Sequence, residues 1–310
     1  MMEDIATVSL DRPAAELAGE LGASFREWGF AVVRDHGIPG ELTAHAWELT
    51  RRFFALPEAA KRTYHIPGIA GARGYTPFGS ERAKDARVHD LKEFWHIGRS
   101  LEPGDPLEAY MEPNVWPVEL PEFRETFEAL YAAFAGAGGR ILSAIALYLG
   151  LTEDYFSGPV ENGNSVLRLL HYPPLPEGAA DGAIRAAPHG DINAITLLLG
   201  AEESGLQLLT AKGSWLPIHP PEGALVVNIG DMLERLTNNR LKSTLHRVVN
   251  PVGEAAARSR YAMPFFLHFR PDFLIDTLPG CVDAQHPDLY PEPITAHAFL
   301  LQRLREINLA

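Results

Sequence analysis

The apolar positions of the first half of the chain recur mostly at helical spacing. Across residues 13–28, Leu17, Leu21 and Phe25 return every fourth position and so share one face of a helix. Residues 30–34, Phe-Ala-Val-Val-Arg, predict a short strand, and a second helical pattern covers residues 40–56. Pro57 ahead of Glu58-Ala-Ala-Lys61 reads as a fresh helix start, because proline's fixed φ suits the first turn and leaves no N–H unsatisfied. Residues 73–80, rich in glycine and aromatics, read as a loop. A long helix is expected over residues 120–149, with Phe123, Phe127, Leu130 and Phe134 on one side and an interruption near Gly136, Gly138 and Gly139.

The period then changes. Residues 166–172, 192–199, 206–209, 224–229, 241–250 and 260–269 are short apolar or β-branched runs bounded by Gly, Pro and Asn, the pattern of strands. Strands at this density predict a sandwich or barrel. A last helix is expected over residues 294–307, where Phe299, Leu300 and Leu304 share a face. The implied organisation is a single domain over residues 1–310. A helical N-terminal portion of about residues 1–155 packs on a β-rich core of about residues 156–290, and a C-terminal helix follows. The charged, proline-rich residues 102–119 form either a hinge or a surface connection. No internal repeat or low-complexity tract is present.

Composition narrows the classes. Hydrophobic residues make up 46% and charged residues 22% of the 310, as in an ordinary globular protein. A net charge of -13 argues against a sequence-independent grip on nucleic acid, which needs clustered cations. The start Met1-Met2-Glu3-Asp4 lacks the features of a secretory signal, and no run of about 20 uncharged apolar residues suggests a membrane span. Cys281 is the sole cysteine, so an intrachain disulfide is impossible and a cytoplasmic location is expected.

Candidate chemistry lies in the β-rich part. Pro188-His189-Gly190-Asp191 precedes the run 192–199, so His189 and Asp191, read as residues i and i+2 of a strand entrance, would face one ion. His246, 55 positions beyond Asp191, could be a third ligand. Two imidazoles and a carboxylate that leave coordination positions open suit oxygen-activating iron(II), although zinc accepts the same donors. Arg260 heads an apolar run, where burial of a guanidinium calls for an anion, and its planar donors match a carboxylate. Its bland alternative is an arginine whose stem covers apolar surface while its head meets water. Arg168, Leu170 and Tyr172 share one strand face, so Arg168 points wherever Tyr172 does. Phe265 and Phe266 alternate, so only one can face a barrel interior. Phe94, Trp95 and His96, after a helical stretch, could reach the mouth of a site or seal two layers.

Together these residues resemble the iron(II)- and 2-oxoglutarate-dependent dioxygenases of the isopenicillin N synthase-like family. The blocks that carry the resemblance include Trp28-Gly-Phe-Ala-Val-Val-Arg-Asp-His36-Gly, Arg73-Gly-Tyr-Thr-Pro-Phe-Gly79, His171-Tyr-Pro-Pro174 and Pro188-His-Gly-Asp191. Asn228-Ile-Gly-Asp231, Thr237-Asn-Asn, Lys242-Ser-Thr-Leu-His-Arg-Val-Val249 and Arg260-Tyr-Ala-Met-Pro-Phe-Phe266 follow in the family's order. The resemblance implies a double-stranded β-helix, or jelly roll, mainly β with flanking N- and C-terminal helices. It implies Fe(II) on His189, Asp191 and His246, and 2-oxoglutarate held at its far carboxylate by Arg260 and Tyr172. Where the family has Ser two places after that arginine, this chain has Ala262.

The implied activity is oxidation of a small organic molecule by O2, with release of succinate and CO2. Hydroxylation is the leading form, and desaturation or cyclisation would use the same centre. Arg168, Phe266, Phe94 and His96 are candidates for the substrate pocket. Alternatives are ethylene-forming breakdown of 2-oxoglutarate and a non-catalytic jelly-roll binding protein. Neither nucleic acid nor a membrane is expected as a partner.

Overall fold

In the computed structural model, which describes residues 5–80, 89–175, 184–200 and 205–306, the chain opens with β1 (Thr7–Ser9), α1 (Ala14–Trp28), β2 (Phe30–Arg34), α2 (Gly40–Phe54) and α3 (Glu58–Arg62). Next come β3 (Gly74–Thr76), β4 (Glu93–Gly98), α4 (Phe123–Tyr148) and the single turn α5 (Ser157–Val160). The β-rich part holds β5 (Val166–Tyr172), β6 (Ala186–His189), β7 (Ile195–Leu199), β8 (Leu206–Leu209), β9 (Trp215–Pro217) and β10 (Leu225–Ile229). It continues through α6 (Asp231–Leu236), β11 (His246–Val248) and β12 (Arg260–Leu267), and ends with β13 (Leu274–Ile275), β14 (Ile294–Thr295) and α7 (Ala296–Glu306).

Two sheets face each other as a jelly roll. The larger has the order β1-β2-β10-β7-β12-β5-β4-β3, and the smaller β6-β11-β8-β9. Alternation along each strand divides the larger sheet's residues between two cores. On the outer face Leu167, Leu169, Leu197, Val227 and Phe265 pack with Leu17, Phe25, Phe53 and Phe134 of the helices. On the inner face Phe30 and Val226 meet Ala186, Leu206, Leu208 and Val248 of the smaller sheet. The site lies on that inner face.

Several expectations hold residue by residue. Leu17, Leu21 and Phe25 are buried on one face of α1. The helix stops at Gly29, whose φ of 69° is the left-handed conformation glycine adopts most readily, with its N–H bonded to the Phe25 carbonyl. Phe265 stacks outside on Phe134, rings 5.4 Å apart, while Phe266 turns inward. Residues 102–119 are a surface connection, fastened by Tyr64, whose hydroxyl donates to Glu119 and accepts from the Val118 N–H.

Others need correction. The long helix is not interrupted, because α4 runs through all three glycines. Gly138 is what lets it approach the sheet: a Cβ there would lie 2.4 Å from a Leu267 methyl. By length and composition α4 is apolar enough to cross a membrane, although Arg140 divides it and no run of about 20 uncharged residues is present; half of its most apolar stretch is buried within the protein. The 73–80 loop contains β3, which pairs with β4. Phe94, Trp95 and His96 sit in the middle of a strand, and residues 81–88 before it lie outside the described residues. The expected strands 192–199 and 241–250 shrink to β7 and β11, since bends and irregular backbone occupy their remaining positions. Ile307, the last residue of the expected final helix, also lies outside the described residues.

Candidate metal and cosubstrate centre

His189 and Asp191 do not share a strand, as their spacing had suggested. His189 closes β6, and Asp191 stands in the irregular segment that joins β6 to β7. Convergence comes instead from the pairing of β6 with β11, which sets His246 directly opposite His189. One carboxylate oxygen and one nitrogen of each ring then lie within 4.8 Å of one another. Asp191 Oδ1 is 3.9 Å from His189 Nε2 and 3.7 Å from His246 Nε2.

The remaining polar atoms of the three residues are already engaged. His189 Nδ1 lies 2.7 Å from the Ala187 carbonyl and His246 Nδ1 3.2 Å from the Thr244 carbonyl. A carbonyl can only accept, so the proton belongs on each Nδ1 and the Nε2 lone pairs are left for a ligand. Asp191 Oδ2 accepts from Thr196 Oγ1 at 2.6 Å and Asn228 Nδ2 at 2.8 Å, which leaves Oδ1 turned toward the imidazoles. Three lone pairs therefore converge on one point, with the donor set and supporting bonds that a divalent metal requires. The residues fit iron(II).

Electrostatics agree with that fit. Burial alone would raise the Asp191 carboxyl, but the two imidazoles and the bonds from Asn228 and Thr196 outweigh it and hold it below the usual range. Burial, reinforced by the neighbouring His246, pushes His189 down, so the ring is neutral as a metal ligand must be. Behind His189, Asp90 accepts from the Ala187 N–H at 3.1 Å and from Lys92 Nζ at 2.9 Å. That contact steadies the same residue whose carbonyl orients the His189 ring.

The two expected cosubstrate residues face each other. Arg260, first in β12, pairs with Tyr172, last in β5, and its guanidinium lies 5.1 Å from the centre of the Tyr172 ring. Arg260 is only 4% exposed, so its guanidinium is held away from bulk water. A carboxylate would match its planar donors and offset the burial of its charge. Ala262, next on the same face, packs with Phe94, Leu170 and Tyr172.

All four expected pocket residues come together. The Arg168 guanidinium lies 4.2 Å from the Phe94 ring centre and 5.2 Å from that of Phe266. Its Nε donates to His96 Nε2 at 2.5 Å. Phe266 pairs across the sheet with Thr196, the residue that bonds Asp191, so this cluster adjoins the triad.

Sequence reasoning assigned no role to Thr196, Asn228, Asp90 or His268. Asn228 opens the Asn228-Ile-Gly-Asp231 block. His268, one residue past β12, is buried, and burial lowers its pKa to about 4.

A sequence profile described as the N-terminal part of non-haem dioxygenases in morphine synthesis matches residues 3–119, and one for the 2OG-Fe(II) oxygenase superfamily matches residues 163–269. The crystal structure of a 2OG-Fe(II) oxygenase family protein from Caulobacter crescentus is 55% identical, with a TM-score of 0.90 over 98% of this chain and 99% of that one. T7H of Neurospora crassa, solved with alpha-KG and thymine, is 29% identical, with a TM-score of 0.87 over 98% of each chain. The 2-oxoglutarate-Fe(II) type oxidoreductase hxnY of Emericella nidulans is 36% identical over 290 residues, 91% of this chain and 82% of that protein.

Proposed function

Because the chain belongs to the iron(II)- and 2-oxoglutarate-dependent dioxygenases of the isopenicillin N synthase-like family, we propose that it hydroxylates a small, flat molecule bearing carbonyl or carboxylate oxygens. The chain is an oxidoreductase whose cofactors are Fe(II), 2-oxoglutarate and O2. In the proposal, His189, Asp191 and His246 hold the metal, and Arg260 with Tyr172 holds the far carboxylate of 2-oxoglutarate. The bound ferrous ion supplies the oxygen-activating chemistry, and 2-oxoglutarate leaves as succinate and CO2.

The side chains select and position the substrate. The observation that carries the proposal is the stack of Arg168 between Phe94 and Phe266, beside Thr196 and hence beside Asp191. Aromatic rings offer their faces to a flat molecule, and a guanidinium presents planar donors to its oxygens. Phe266 and Arg260 are both on the inner face of β12, six residues or about 20 Å apart at the rise of a strand. Phe94 bridges that span by packing with Tyr172 and Ala262, so substrate and cosubstrate would lie side by side on the inner face. T7H was solved with thymine and with 5-formyluracil, both flat rings with carbonyl oxygens, which supports the same substrate class here. A cytosolic setting is part of the proposal, supported by the single thiol of Cys281.

The test is a library of flat heterocycles and aromatic acids, read by succinate release and product mass. A gain of one oxygen atom identifies hydroxylation, and a loss of two hydrogens would identify desaturation instead. Equal turnover of compounds that lack any carbonyl or carboxylate would refute the proposed class.

A further inference from the structure

A buried polar network lies directly behind the residues proposed to hold 2-oxoglutarate. Glu93, first in β4, is 4% exposed and sits on the outer face of the larger sheet. Its Oε2 accepts from Lys61 Nζ of α3 at 2.7 Å and from the Tyr75 hydroxyl of β3. Its Oε1 lies 2.7 Å from His171 Nδ1, and His171 Nε2 lies 3.0 Å from Ser259 Oγ. With the proton on Nδ1 facing the carboxylate, Nε2 accepts from the serine hydroxyl. Tyr261 stacks on the His171 ring at 4.7 Å, with the planes 12° apart.

The register gives this network its consequence. Glu93 pairs with His171, and His171 with Tyr261; one residue along, Tyr172 pairs with Arg260. Tyr172 ends β5 and Arg260 begins β12, so both stand where ladder hydrogen bonds run out and strand ends open most easily. The connection from His171 to Ser259 joins the two strands at that point, from the face opposite the site. Lys61 and Tyr75 bring in the N-terminal portion of the chain.

We infer that Glu93, His171 and Ser259 are positioning residues that set the distance between Tyr172 and Arg260, so that the N-terminal portion tunes 2-oxoglutarate affinity without touching it. The inference rests on the proposed role of Arg260 and Tyr172. A buried network with a purely structural role would alter stability alone. One that positions the anchors alters cosubstrate affinity and leaves the metal untouched.

The experiment is calorimetric titration of 2-oxoglutarate into the full-length, Fe(II)-loaded protein without oxygen, with metal affinity and thermal midpoint measured on each variant. Ser259→Ala should weaken 2-oxoglutarate binding about five- to tenfold, as expected for one lost hydrogen bond acting through the strand ends. Metal affinity should stay within about twofold, and Ser259→Thr, which keeps the hydroxyl, should restore binding. Glu93→Gln should weaken binding at least as much as Ser259→Ala; if that variant does not fold, the serine pair decides. Unchanged 2-oxoglutarate affinity in folded Ser259→Ala, or an equal loss of metal affinity, would overturn the inference. Arg260→Ala separates the premises: if it too binds 2-oxoglutarate normally, the cosubstrate assignment fails, and if it alone loses binding, only the positioning claim does.

Discussion

Ala262 offers a test of where the cosubstrate carboxylate lies. The residue is 1% exposed, packs with Phe94, Leu170 and Tyr172, and follows Arg260 by two positions on the inner face of β12. Ala262→Ser adds a hydroxyl to this apolar contact. Without 2-oxoglutarate that hydroxyl is a buried donor among apolar neighbours, costing about 1–3 kcal/mol and lowering the thermal midpoint by several degrees. With 2-oxoglutarate bound at Arg260, the hydroxyl meets a charged acceptor, and such a bond contributes about 1.5–3 kcal/mol. The two effects have opposite signs, so the variant should be less stable alone yet bind 2-oxoglutarate about tenfold more tightly. Calorimetry under anaerobic conditions with Fe(II) measures the affinity, and thermal scans with and without 2-oxoglutarate measure the stability. A destabilised variant with unchanged or weaker affinity would show that the carboxylate does not come within reach of position 262, and the assignment of Arg260 would fall with it.

Three further outcomes follow from the geometry. Thr196→Val removes the 2.6 Å bond to Asp191 Oδ2 while nearly conserving volume; metal affinity should fall about 10- to 100-fold in competition with a chromophoric chelator, and an unchanged value would mean that Asn228 alone orients the carboxylate. Arg168→Ala should leave Fe(II) and 2-oxoglutarate affinities within about twofold yet reduce substrate-stimulated succinate release by about 10- to 100-fold; loss of 2-oxoglutarate binding would place the arginine on the cosubstrate instead. Burial holds His268 at about 4, whereas an unfolded histidine takes up a proton below about 6.5. Its stabilising contribution is therefore complete above that pH and is lost as pH falls toward 4, by roughly 2–3 kcal/mol between pH 7 and 4.5. Urea titrations of the metal-free protein should show a shallower pH slope for His268→Gln, and parallel slopes would refute the burial argument.

What the sequence made legible was what residue type and period carry locally. Phe265 and Phe266 separated onto opposite faces as alternation requires, and Leu17, Leu21 and Phe25 were buried as a helical stripe requires. The ligand types were legible because imidazole and carboxylate bring their chemistry with them wherever the backbone puts them. Their arrangement is not: local spacing makes His189 and Asp191 neighbours on a strand, while the real constraint is the β6–β11 pairing, a contact across 57 positions that no local period encodes. Gly138 departs from its local expectation for a related reason. In isolation a glycine costs a helix about 1 kcal/mol against alanine, but close packing on Leu267 makes glycine the residue that fits. The supporting residues were the hardest to find, since Thr196, Asn228 and Ser259 act through single hydrogen bonds to side chains 5, 37 and 88 positions away. Such residues leave no periodic trace, and any of them could be a surface polar residue by composition. A substitution at one of them would pass unnoticed in a motif comparison and still alter metal or cosubstrate affinity, so loss of function in this chain need not be visible at His189, Asp191, His246 or Arg260.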